Sequence, residues 1–401
     1  MNWPRRIGKI GGQPLTCLLY ALLGVMVAGC WQAATVHFNY AGNWTALFCT
    51  GSKHTMPPEL AAGTYVFPNS RGYDGQYYRL VAHDPWLQRG WLKYEDSVMV
   101  RNTRILVPGL AWLAAGGQSR FIDAAYISII LIFVFLGIYW LSRCAASHGR
   151  NPAWGLAFLS VPGTLVSIDR LTVDVALIAL CAAWVWYMRS DAPGRLYLVL
   201  VLAGLARETG LPLAGACCMH ALWRRHWRKA LVYAAAALPS VAWYGFVLTH
   251  ASGIHAGHGA MVPPWLFRQA LVGTFAALFR PAHYPFASTL AHGIQALDAV
   301  ALCGVVLAVA LAVWDLRQWP LSREQWAILA FLVLFLAVGT PRFWHNVYSY
   351  SRPFSPFLLL VAMPALAGGS RWRLAPMVML DLRVAAQIAP QLWGIVRGLV
   401  S

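Results

Sequence analysis

Long apolar runs separated by short charged links dominate the chain. A transmembrane helix needs about 20 largely apolar residues, and fewer where neighbouring helices shield it. Runs of this kind lie at 14–37, 122–142, 152–168, 171–188, 230–249, 295–314, 325–340 and 354–368. Two shorter runs, 196–206 and 211–223, meet at a charged apex, Arg207-Glu208-Thr209-Gly210. Segment 104–117 predicts a surface or half-inserted helix, and 375–401 an amphipathic or marginally spanning tail. The pattern predicts one all-α polytopic membrane domain over residues 1–401, with about ten transmembrane helices. Two long external loops are expected, a first at 38–98 and a second at 250–294.

Composition strengthens this picture. Only 11% of the 401 residues are charged, against about 25% in ordinary soluble domains, and the mean hydropathy is +0.55. A soluble globule would lack the polar side chains to cover its surface, and a disordered chain would be poorer in apolar residues. The net charge of +17 does not point to nucleic acid, because basic residues collect in the cytoplasmic loops of membrane proteins. Threading the spans alternately puts 15 of the 31 Lys and Arg on the side of the N-terminus, which predicts a cytoplasmic N-terminus and a retained first helix. Eight of the 14 acids, Glu59, Asp74, Asp84, Glu95, Asp96, Asp169, Asp174 and Glu208, then fall on the external side. The eight cysteines show no CxxC spacing and read as small buried hydrophobes, with Cys30 and Cys49 able to pair if they share a side.

Candidate chemistry gathers on that external side. The densest segment is Tyr73-Asp74-Gly75-Gln76-Tyr77-Tyr78-Arg79, followed by His83-Asp84-Pro85. Asp-Gly suits a tight turn, while Tyr77, Tyr78, Trp86 and Trp91 fit either an interfacial aromatic belt or stacking faces for a sugar or prenyl chain. Arg101 and Arg104, three apart, would share a helical face. Their planar guanidiniums suit either phosphate or a lipid headgroup. Asp169 and Arg170 form a charged link between spans, and ionisable groups there are functional candidates by default; an ordinary external turn is the alternative. The Arg207-Glu208 apex either dips into the membrane or lines a hydrated cavity, as a site or as a structural ion pair. Arg352, in Tyr348-Ser349-Tyr350-Ser351-Arg352-Pro353, is a further phosphate ligand candidate. His250, His255 and His258 lack the helix-borne spacing of a zinc-hydrolase motif. No Walker-A loop, GxGxxG turn, GxSxG elbow or HExxH helix occurs, so nucleotide hydrolysis and serine or zinc peptidase chemistry have no support.

Over residues 15–365 these motifs, in their order and on their topological sides, resemble the GT-C superfamily of polytopic glycosyltransferases. The similarity is greater to bacterial membrane proteins assigned to cell-surface glycopolymer formation. It is carried by Tyr73 to Tyr78 with Asp84-Pro85, Arg104-Ile105-Leu106-Val107-Pro108, Asp169-Arg170 and Arg207 to Gly210. More distantly, Arg207 to Gly210 is similar to an Arg-x-x-Gly segment of GPI mannosyltransferases. The resemblance implies sugar transfer from a polyprenyl-phosphate donor to a glycan, lipid or protein acceptor, on the external face of a bacterial inner membrane. Asp74 corresponds by position to the general base of that superfamily, with Asp84 assisting or binding acceptor. Some members carry paired acids or a metal there, so a divalent cation is an open expectation.

Sugar transfer from phosphate demands a base for the acceptor hydroxyl and cations for the departing phosphate. Arg101, Arg104, Arg207 and Arg352 are the expected phosphate ligands. Gln76, Tyr77, Tyr78, Asp169, Arg170 and Glu208 are expected to orient these groups or bind sugar hydroxyls. The rival is a secondary transporter or a flippase of lipid-linked sugars. Such proteins carry matching motifs in two halves, and the 38–98 loop has no counterpart after 250.

Overall fold

A computed structural model of the chain describes residues 13–251, 276–277, 279, 282–284, 287–337, 341–344, 346–366 and 368–400. His255 and His258 lie outside these residues, as does much of the expected second loop. The described chain is all-α apart from one short parallel strand pair, Thr50–Gly51 against Val66–Phe67. Four helical stretches among the described residues are long and apolar enough to cross a membrane: Pro14–Tyr40, Ser119–Ser147, Trp227–Ala251 and Ser288–Leu316.

The first of these, α1 (Pro14–Tyr40), shows how composition sets packing. Cys17, Ala21, Gly24 and Ala28 are buried on one face, while Leu15, Leu19, Leu22 and Met26 are more than half exposed on the other. An exposed leucine stripe suits lipid, and small residues let two helices approach closely. The partner is Ser119–Ser147, whose Ile138 side chain crosses directly over Gly24.

Between these two helices the 38–98 segment folds tightly. It contains α2 (Asp74–His83) and is followed by α3 (Val98–Asn102) and α4 (Leu106–Ala114), the expected short apolar helix. The long helix Ser119–Ser147 is α5. Arg79 of α2 makes two hydrogen bonds to Asp123 of α5, at 2.9 and 2.7 Å, and His83 Nε2 lies 3.2 Å from the same carboxylate. These contacts fasten the loop to the bundle.

The expected span at 152–168 is not one helix. A 3₁₀ segment, Pro152–Ser160, ends at Val161, which is extended (φ −76°, ψ 124°) because it precedes Pro162. A new helix, α6 (Pro162–Arg170), then starts with that proline in its first turn. The next helices are short: α7 (Asp174–Arg189), α8 (Pro193–Ala206) and α9 (Leu211–Trp223). On α7, 13 of 16 residues are buried, so it is enclosed by protein. Among the described residues four helical stretches, rather than about ten, therefore have the length and apolarity of a span; the other described helices are shorter or more polar.

Helices α10 (Trp227–Ala235) and α11 (Leu238–Ala251) form one apolar stretch. Beyond the second loop lie α12 (Ser288–Leu316), α13 (Arg323–Ala337), α14 (Val347–Leu366) and α15 (Ala375–Val400). The expected marginal tail is thus a 26-residue helix packed on α12 and α1. Arg383 Nε meets Asp298 at 2.7 Å, and Gln391 donates to Asp169 at 3.1 Å. All eight cysteines are free thiols; Cys49 accepts a hydrogen bond from Arg170 at 3.1 Å, and Cys30 is exposed.

Gly75 holds α2 against this bundle. A Cβ there would lie 2.4 Å from the Arg170 carbonyl oxygen and 2.9 Å from that of Phe48. Gly75→Ala is therefore expected to cost about 1–3 kcal/mol as overpacking against backbone. Gly29→Ala on α1, where a Cβ meets nothing within 4 Å, is expected to be neutral or stabilising. Thermal unfolding of both full-length variants in detergent checks this, and equal melting temperatures would refute the close approach.

Candidate functional site

Chemistry-bearing residues converge where the ends of α2, α7 and α8 meet the first turns of α14. Asp74 is the first residue of α2, not the corner of a tight turn. Its carboxylate accepts bonds from both terminal nitrogens of Arg101, each 2.9 Å away, and lies 2.8 Å from Arg352 Nη1. The same Arg352 nitrogen is 3.4 Å from Asp174, the first residue of α7. Asp174 also pairs with Arg207.

Arg207 ends α8 in an extended conformation (φ −167°, ψ 146°), so the chain breaks there before α9 begins. Gly210 closes the break: a Cβ at this position would lie 2.1 Å from the Ala203 carbonyl oxygen. Glu208 is thereby projected outward with its side chain half-exposed, and Arg104 grips it through Nε at 2.9 Å and Nη2 at 2.6 Å. Arg207 Nε is 3.6 Å from the same carboxylate.

The four arginines that the sequence singles out therefore share one network with Asp74, Asp96, Asp174 and Glu208, although Arg101 and Arg104 diverge to different carboxylates. All four guanidinium-bearing side chains are buried, whereas Glu208 and Asp96 keep 49% and 37% of theirs exposed. The network is formally neutral, so an incoming anion competes with the carboxylates for the guanidiniums; of the four, only Arg207 has a nitrogen, Nε, that lies buried without a hydrogen bond.

Other expected residues take different places. Asp84 does not join the network; its two oxygens accept from the backbone N–H of Gln88 and Arg89, both at 2.8 Å, and so cap a turn. Gln76 braces the loop, donating to the Arg71 carbonyl at 2.9 Å and accepting from Gly51 N–H at 3.2 Å. Tyr77 and Tyr78 are buried and offer no open stacking face. Arg101 lies over both rings, 4.9 and 5.5 Å from their centroids, and the Tyr78 hydroxyl accepts from Arg104 at 2.7 Å. Trp91 is buried too, whereas Trp86 is exposed and edge-on to Trp112 and Trp243.

Asp169 and Arg170 pair with each other at 2.9 Å in a separate buried cluster with Gln391 and Cys49. The donor set does not fit a divalent cation: Asp74 is embraced by two guanidiniums and Asp84 by backbone donors. Among the described residues no three His, Cys, Asp or Glu gather at metal-binding distance.

Electrostatics separates the acids. Burial pushes the Asp74 carboxyl up, but the Arg352 and Arg101 guanidiniums more than reverse this and hold it well below the usual carboxylate range. Burial pushes Glu95 well above that range, only partly offset by the hydrogen bond from Asn102, at 2.6 Å. Asp174 and Asp96, which close the ion-pair chain, and Glu95 were not singled out by sequence motif. The available signal was charge balance, since arginines in an apolar chain require acids beside them.

Because its folded pKa is depressed, Asp74 contributes stability above about pH 4 that is lost as pH falls through the folded value. Acid unfolding of Asp74→Asn is expected to show a shallower loss below about pH 4 than the parent chain. Asp174→Ala leaves the buried Arg207 only the long 3.6 Å contact to Glu208, while Arg352 keeps Asp74, and should cost about 3–5 kcal/mol, whereas Asp96→Ala, at the exposed end, should cost about 0–1 kcal/mol. Denaturant unfolding in detergent reads these differences; equal losses would contradict a network graded by burial. No family model, curated protein or solved structure matches this chain.

Proposed function

We propose that the chain is a membrane glycosyltransferase that moves a sugar from a polyprenyl-phosphate donor to a cell-envelope acceptor. In this reading the apolar segments form about ten spans of a GT-C-like bundle. The N-terminus is cytoplasmic, and the site opens on the external face of a bacterial inner membrane. The observation that carries the proposal is the convergence of Arg101, Arg104, Arg207 and Arg352 on one network whose exposed members are carboxylates. Arginine forks suit a phosphate that gains charge as it leaves, and the acids beside them suit sugar hydroxyls and proton transfer.

The reaction makes one bond and breaks one. The acceptor oxygen attacks the anomeric carbon opposite the phosphate and loses its proton to a carboxylate. The bond between anomeric carbon and phosphate oxygen breaks, leaving a prenyl phosphate with an added negative charge. Attack from the far side inverts the anomeric centre, by the geometry of inverting glycosidases.

Asp74 in its resting state is a poor base, since two guanidiniums hold its charge. A donor phosphate that draws Arg352 or Arg101 away would raise its basicity, so donor binding and base activation are coupled. Glu95, which burial pushes well above the usual carboxylate range, is the other carboxyl considered as base, because its ionised form holds a proton more strongly than an ordinary carboxylate.

Purified protein reconstituted with labelled prenyl-phosphate sugars tests the proposal. Asp74→Asn is expected to lower transfer by about 10²–10⁴-fold while membrane insertion is retained. Near-normal transfer would remove Asp74 as base, and the Glu95→Gln pH profile then decides for or against Glu95. Sugar flux across Asp74→Asn vesicles without any glycosidic product, in variant and parent alike, would replace the transferase by a transporter.

A further inference from the structure

A second charged site lies at the other end of α9, one helix length of about 20 Å from the Glu208 apex. An open cleft of about 190 Å³ is lined there by His220, Arg224, His226, Lys229, Tyr233 and Arg323. It brings together the end of α9, the link to α10, α10 itself and the first residue of α13. Two features set the cleft apart. Its lining contains no acid, and among the described residues no ion pair reaches Arg224, Lys229 or Arg323. Glu324, next to Arg323, turns instead to Arg189 at 3.4 Å. By contrast, Arg373 and Arg383, on the neighbouring C-terminal elements, are each matched by an aspartate at 2.6 and 2.7 Å.

The turn that shapes the cleft is built for it. Arg225 adopts φ 58° and the His226 N–H returns to the Ala221 carbonyl at 2.8 Å, so Arg224 and Lys229 converge while Arg225 and Arg228 stay outside the lining. Exposed tryptophans lie on the segments that carry the lining residues: Trp223, Trp227 and Trp319 are 51%, 64% and 61% exposed, with Trp223 and Trp319 edge to face at 4.7 Å. Tryptophan at this density marks a membrane–water interface, where basic pockets between helices bind lipid headgroups.

We propose that this cleft binds a phosphate-bearing anion at the membrane surface, through Arg224, Lys229 and Arg323. The anion is the headgroup of an anionic lipid or a soluble phosphate, and the two sources give different results. The full chain in phosphatidylcholine nanodiscs is compared with nanodiscs containing phosphatidylglycerol, with lipid retention read by native mass spectrometry. Inorganic phosphate is titrated separately against melting temperature.

Retention of phosphatidylglycerol that falls about tenfold or more in Arg224→Gln/Arg323→Gln, but less than about twofold in Arg225→Gln/Arg228→Gln, supports a lipid headgroup. Saturable stabilisation by inorganic phosphate, lost in the first double variant only, supports a soluble ligand. Equal losses in the two double variants would show diffuse charge attraction and overturn the site, as would binding of neither probe. Should the first double variant fail to fold in phosphatidylcholine, Lys229→Gln carries the same comparison.

Discussion

Charge compensation in an apolar interior is the constraint on which this structure rests. A guanidinium removed from water is tolerable only beside a carboxylate that is itself well bonded. Arg101, Arg207 and Arg352 meet Asp74 and Asp174 in an alternating chain, and Arg104 closes it through Glu208. Most members have two partners, so removing one leaves most of its neighbours with a single partner rather than none. Because the members come from α2, α3, the α8–α9 break, α7 and α14, the network also fixes how five segments meet.

The same balance shapes the chemistry available. Each of the four guanidiniums is paired with a carboxylate, which leaves the site at rest formally neutral. Under the proposed function its reactivity depends on exchange: an anion entering at the exposed Glu208 and Asp96 would compete for arginines and release carboxylates. In that reading binding and basicity are linked through Arg101 and Arg352, which touch Asp74 directly. A low-dielectric setting strengthens each pair and enlarges the effect of each exchange.

In the second cleft that compensation is withheld. At Arg224, Lys229 and Arg323 the structure gathers positive charge with no acid in the lining, at an end whose segments carry exposed tryptophans. Water or headgroups screen such charge there, so the cost that forces pairing around Asp74 does not apply. The two ends of α9 therefore carry opposite solutions to the same electrostatic problem.

Hydrophobic patterning alone established an all-α chain with membrane-length helices, because a run of about 20 apolar residues has few other stable settings. The motif residues Asp74, Arg101, Arg104, Arg207 and Arg352 were likewise visible, since charge stands out in so apolar a sequence. Local pattern misplaced what depends on neighbours. By sequence Asp84 is expected to assist Asp74 or bind acceptor, yet Asp84 meets only backbone N–H groups, and Tyr77 and Tyr78 proved to be buried beneath Arg101. The run at 152–168 is largely apolar, but Pro162 divides it. Asp174 became central only when α7 brought its first residue between Arg207 and Arg352. Periodicity records which face a residue prefers; which charge answers another across more than 100 residues of chain is decided by packing alone.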